Sequence, residues 1–153
     1  MSIKINLEFE TRVDIDFLAK GISFRLIRLI SRIKLKSKEG FTRTYDAIVD
    51  TGNPITIIPF SIWSKASVHL ISHDQVKLYG LGTEDNSAIK GNIGQIEIIF
   101  LDEQRSSASI TLKAYLIEDD KAPLLIGFED VLTLMKLVSD YKNNVAYLEV
   151  WEE

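Results

Sequence analysis

The chain contains no cysteine. That excludes disulfide staples, thiol nucleophiles and zinc sites built from thiolates. No stretch approaches the ~18 consecutive apolar residues of a membrane helix. The opening residues, MSIKINLEFETRVDIDF, carry charges too early for the apolar core of a secretory signal. Internal repeats, low-complexity segments and linkers are also missing. The expectation is one domain over residues 1–153, with residues 1–20 as an N-terminal strand extension, in a cytoplasmic protein that does not engage a membrane.

Several catalytic signatures are lacking too. There is no Gly-x-Ser-x-Gly elbow for a serine nucleophile. Gly80-Leu81-Gly82 has no third glycine at the spacing of a dinucleotide-binding turn. The two histidines, His69 and His73, have no neighbouring glutamate or third ligand, so they read as part of a solvated loop rather than a metal site. Glu118, Asp119 and Asp120 read as a polar turn before Pro123. No metal or organic cofactor is expected.

The residues present are those of a globular protein, 46% hydrophobic and 26% charged, with a net charge of -4. Charge is unevenly spread. Arg25, Arg28, Arg32, Lys34, Lys36, Lys38 and Arg43 share a segment with one acid, Glu39. The segment reads as the solvated face of a long strand or as a patch for an anionic partner. No aromatic residue interleaves with these charges to stack on bases, and nucleic acid is not an expected partner.

Period-two alternation dominates and predicts a mainly antiparallel, all-β protein. Ile3, Ile5, Leu7 and Phe9 alternate with polar residues, and Val13, Ile15 and Phe17 continue the pattern. Ile27, Leu29, Ile33 and Leu35 share one face of a strand whose other face carries Arg28, Arg32, Lys34 and Lys36. KSKEG is a turn, FTRTYDAIVD the return strand, ITIIP a short strand and SIWSKAS one or two helical turns. VKLYGLG and AIKGNIGQIEIIF are the arms of a hairpin, and SSASITLKAYLIE, PLLIG and VAYLEVW are further strands. FEDVLTLMKLV has apolar residues at Val131, Leu132, Leu134, Met135 and Val138, the spacing of a short C-terminal helix.

The chemistry concentrates in AIVDTGNPITIIP, residues 47–59, where a buried apolar strand runs into Asp50-Thr51-Gly52. A carboxylate at such a strand end is unfavourable unless something satisfies it. Gly52 lets the backbone turn sharply and bring its amide near the carboxylate, and the Thr51 hydroxyl can lock the turn. Alone, the triplet reads equally as a β-turn at a strand end. A second stretch, APLLIGFEDVL at residues 122–132, is a buried strand ending in glycine and opening into a predicted helix.

Together the two stretches resemble the retropepsin-like aspartic proteases. The resemblance covers residues 22–150 and implies a closed β-barrel acid-protease fold in which the two segments cross beneath the catalytic aspartate. It makes Asp50, Thr51 and Gly52 the catalytic triplet and Gly127 a point of close chain approach. Tyr79-Gly80-Leu81-Gly82 is similar to the glycine-rich flap over the substrate in that family. The functional tip is either Leu81-Gly82 or Glu84-Asp85-Asn86, and an ordinary hairpin with glycine bulges is the plain alternative. The chain departs from the family pattern at Asn53, where alanine or serine is usual, at Pro54, and at Phe128, where arginine is common.

Aspartic proteases use two carboxylates that share one proton across a water. This chain has one Asp-Thr-Gly and no Asp-Ser-Gly. The resemblance therefore implies a homodimeric aspartic endopeptidase acting on a peptide or protein substrate, one Asp50 from each chain, related by a two-fold axis. The terminal strand, Val145 to Val150, is the expected dimer-pairing element. The alternative function is a retropepsin-like dimerisation or peptide-binding module without turnover.

Overall fold

In the computed structural model, which describes residues 1–78 and 88–152, strand accounts for 53% and helix for 8%. The alternation in β3 (Arg25–Ser37) buries Leu29, Ser31, Ile33 and Leu35 and turns Arg32, Lys34 and Lys36 outward. β3 pairs antiparallel with β5 (Tyr45–Val49) on one edge and with β9 (Ile89–Leu101) on the other. The ring continues through β11 (Leu125–Ile126), β6 (Thr56–Ile58) and β10 (Ile110–Ile117) back to β9, closing a six-stranded barrel. Ile33, Leu35, Ala47, Ile98 and Phe100 are fully buried inside it. Closure removes the exposed edges that an open sheet of these strands would present.

The outward charges of β3 are partly neutralised within the chain. Arg32 pairs with Glu8, and Lys36 Nζ lies 2.9 Å from Glu97. Short strands complete the wall. β4 (Gly40–Phe41) folds back on β3 through the KSKEG turn, while β7 (His69–Leu70) and β8 (Val76–Leu78) both pair with β9. Between β6 and β7, the segment following Pro59 forms α2 (Phe60–Trp63).

Two expectations about helix are corrected. The helix expected over residues 128–138 is absent: a 3-10 turn at Leu132–Leu134 leads into β12 (Met135–Asp140). Asp130 explains the break. Its φ is 60°, outside the helical region, and its carboxylate accepts from the Lys113 amide at 2.9 Å. β12 then gains a full ladder with β13 (Val145–Trp151), from Met135↔Val150 to Asp140↔Val145. Tertiary pairing overrides the local periodicity.

Conversely, the alternation of Val13, Ile15 and Phe17 is interrupted by α1 (Ile15–Ala19) after β2 (Glu8–Val13). The Asp14 side chain caps the amides of Asp16 and Phe17 at 3.0 and 3.1 Å. Gly21, at φ 76°, ends the helix: Ile22 N donates to Phe17 O and Gly21 N to Leu18 O, both at 2.9 Å.

The terminal strand, expected to pair the dimer, is paired within its own chain. β13 is the middle strand of a three-stranded sheet, with β12 on one edge and β1 (Ser2–Asn6) on the other. The β1 ladder runs from Ser2↔Trp151 to Asn6↔Tyr147. Both edges of β13 are used within one chain. Ile5, Leu148 and Val150 join the barrel residues in one apolar core.

Candidate active site

Asp50 stands where β5 ends. Its amide donates to the Ile126 carbonyl at 2.9 Å, and the Ile48 amide to the Leu124 carbonyl at 3.0 Å. β11 is thus inserted between β5 and β6. It runs parallel to β5 (Leu125↔Ile48, Ile126↔Val49) and antiparallel to β6 (Leu125↔Ile57). The strand that carries the aspartate is clamped by a segment about seventy-five residues further along the chain.

The turn beyond is held by the aspartate itself. Gly52 N donates to Asp50 Oδ1 at 2.9 Å and Asn53 N to the Asp50 carbonyl at 3.2 Å. A Cβ on Gly52 would lie 3.3 Å from Oδ1, so a side chain there would crowd the carboxylate. Asp50 Oδ2 accepts no hydrogen bond among the described residues, and the half-buried carboxylate borders open space. Thr51 is exposed, and its hydroxyl makes no hydrogen bond among the described residues. The lock expected of Thr51 is therefore supplied by Asp50 and the Gly52 amide.

Gly127 follows β11 where the two limbs touch. A Cβ there would lie 2.5 Å from the Ile55 carbonyl carbon and 2.8 Å from the Asn53 oxygen. Its amide donates to Thr56 Oγ1 at 3.0 Å, and the next two amides, of Phe128 and Glu129, donate to the carbonyls of Asn53 and Pro54. Only a residue without a side chain fits this approach. Asn53 is 4% exposed, and its Nδ2 has no partner among the described residues.

Asp50 opens into a cleft of ≈ 560 Å³. Ile48, Leu125 and Leu137 supply apolar wall, Ser139 and Tyr141 a polar rim, and Arg28 a cation. Asp50 is the one carboxylate among the lining residues described. The sequence reading missed Ile27, Arg28 and Leu137 as cleft residues. The first two reach it because Leu29 pairs with Val49, which sets Arg28 beside the position after Val49. Only strand register reveals that relation.

Tyr79, Gly80, Leu81 and Gly82, and the alternative tip Glu84-Asp85-Asn86, lie outside the described residues. The strands flanking them, β8 and β9, pair as an antiparallel hairpin from Val76↔Gly91 to Leu78↔Ile89. His69 sits on β7 opposite Gln95, and His73 is exposed. No group of three metal-ligating side chains occurs among the described residues. No protein-family model matches the chain, and no curated protein matches it significantly.

Proposed function

We propose that this chain is one protomer of a homodimeric aspartic endopeptidase of the retropepsin type, to which it contributes Asp50. The observation that carries the reading is the insertion of β11 between β5 and β6, with Gly127 pressed against the Asp50 loop. This is the crossing that the resemblance implies, and it supports a carboxylate held rigidly by backbone rather than one on a pliable turn.

Among the described residues of one chain the cleft offers a single carboxylate, and hydrolysis by this chemistry needs two. Asp50 of a second copy completes the pair across a two-fold axis. The two groups, ~3 Å apart, share one proton. The ionised member takes a proton from the bound water as that water attacks the scissile carbonyl carbon. The protonated member donates to the carbonyl oxygen as the carbon becomes tetrahedral. Collapse of that intermediate breaks the C–N bond: the nitrogen takes a proton from the pair, one hydroxyl of the diol returns its proton to the pair as the C=O forms, and the amine and the acid leave. The extended peptide pairs with strand edges, and apolar cleft residues such as Ile48 and Leu125 receive its side chains.

The half-buried, singly hydrogen-bonded Asp50 carboxylate at the cleft favours turnover over a silent binding module, which has no use for an acid there. Unstructured peptides incubated between about pH 4 and 7, with and without a pepstatin-type inhibitor, provide the test. Cleavage that is blocked by the inhibitor and lost in Asp50→Asn is expected. Cleavage that persists in Asp50→Asn would assign the activity to other residues.

A further inference from the structure

The site lies beside an unusual projection. Among the described residues nineteen large apolar side chains are exposed, and eight of them fall between residues 13 and 27: Val13, Ile15, Phe17, Leu18, Ile22, Phe24, Leu26 and Ile27. They belong to one arm formed by β2, α1 and the first residues of β3. The arm has internal order. β2 and β3 pair from Glu8↔Ile30 to Val13↔Arg25, the rings of Phe17 and Phe24 meet at 5.3 Å, and α1 is capped at both ends. Yet no residue of α1 is buried. A structured element that exposes this much apolar surface marks an interaction site.

Strand register fixes where the arm points. β5 stops at Val49, opposite Leu29. Arg25 to Ile27 therefore run on past Asp50, paired only with β2 among the described residues. Three strand residues carry the ribbon about 10 Å beyond the aspartate, with α1 at its tip. The base stays with the protomer: Phe9 packs on Tyr141 at 5.3 Å, and Ile27 and Arg28 line the Asp50 cleft.

We infer that this arm is a dimer clasp, which reaches across the two-fold axis beside Asp50 and buries its apolar tip on a second copy of the chain. The inference rests on the dimeric reading above and adds the segment that holds the copies together. A second copy is the occupant for two reasons. The arm overhangs the one cleft whose chemistry is incomplete in a single chain. Its charge is also balanced: Glu8, Glu10, Asp14 and Asp16 against Arg12, Lys20, Arg25 and Arg28 give 4 − 4 = 0 over residues 8–30. A neutral arm has none of the basic excess that draws an amphipathic segment to an anionic membrane. With β13 enclosed on both edges, the clasp supplies the interface that the terminal strand cannot.

Two variants test it by sedimentation across a concentration series, with circular dichroism to confirm folding. The first is Ile15→Lys with Leu18→Glu, positions 79% and 54% exposed that bury nothing in the protomer. The second replaces residues 13–25 by Asn-Gly, joining Arg12 to its ladder partner Leu26 through a tight hairpin turn. The wild-type chain is expected to dimerise, and both variants to weaken the dimer about a hundredfold or more while remaining folded. Activity of the first variant should return as its concentration is raised. Folded variants that dimerise as tightly as wild type overturn the clasp, and if they still cleave peptide the protease reading stands without it. Wild-type dimers that depend on the arm but never cleave peptide uphold the clasp and sink the protease reading. A wild-type chain that stays monomeric at micromolar concentration overturns the clasp, as does one that is monomeric and co-sediments with phosphatidylcholine vesicles through the arm.

Discussion

The amide of Gly127 donates to the hydroxyl of Thr56 at 3.0 Å, where the chain leaves β11 beside β6. The bond joins residues 71 positions apart in sequence and lies where the backbone of Ile55 comes too close for any side chain on residue 127. Gly127→Ala forces backbone apart on both limbs and is expected to cost about 3 kcal/mol. Thr56→Val keeps the shape but strands a buried N–H, at about 1–3 kcal/mol. Urea unfolding of the two variants beside wild type measures both. A Gly127→Ala protein of wild-type stability would mean that the limbs do not touch.

Asp50→Asn separates chemistry from architecture. The asparagine oxygen can still accept the Gly52 amide, so the unfolding midpoint should stay within about 1 kcal/mol of wild type. Peptide cleavage should fall by about a thousandfold or more, because the amide can neither take nor give the catalytic proton. Parallel melting and cleavage assays read the two effects independently.

The first strand belongs to the core. Ile5 is fully buried, and β1 covers one edge of β13. Ile5→Ala is expected to destabilise the protein by about 2–5 kcal/mol, whereas Lys4→Ala, on an exposed position of the same strand, should change stability by no more than about 0.5 kcal/mol. Equal, small effects at both positions would make the strand a loose appendage.

Asp102 ties the turn after β9 to the first strand. Partial burial pushes its carboxyl up, but donors from the amides of Asn6, Gln104 and Arg105, with the Arg105 charge, outweigh burial and hold it below the ordinary value of 3.8. Its folded-state pKa is thus lower than its unfolded one, so the charge stabilises the fold fully above about pH 3.8 and loses that effect as pH falls through the depressed value. Asp102→Asn should cost about 1 kcal/mol near pH 7, the site being open enough for solvent to screen it. The gap from wild type should close below pH 3.8. Urea titrations at the two pH extremes check this, and a gap independent of pH would assign the effect to shape rather than charge.

Much of the β-character was legible because half-buried strands bury alternate residues, as Leu29, Ile33 and Leu35 do against Arg32, Lys34 and Lys36. The Asp50-Thr51-Gly52 turn and the glycine at 127 were legible for a similar reason: a sharp turn and a close approach each restrict which residue fits. The segment from 128 to 138 misled because its apolar residues satisfy helical spacing, while Asp130 in a left-handed conformation and the ladder to β13 decided for strand. At Ile15–Ala19 the cap at Asp14 and the Lys20-Gly21 stop are in the sequence, but Val13, Ile15 and Phe17 also satisfy strand alternation.

What the amino-acid order settled by itself was local: which residues alternate, where the chain turns, and that one Asp-Thr-Gly is present without a second. Only the folded chain decided which strands meet. Pairing partners are chosen by hydrogen bonds and burial between residues far apart in sequence, and a one-residue slip in register would exchange inside for outside. That choice clamps Asp50 with β11, sends the arm past it, and encloses the last strand between the first and the one before it.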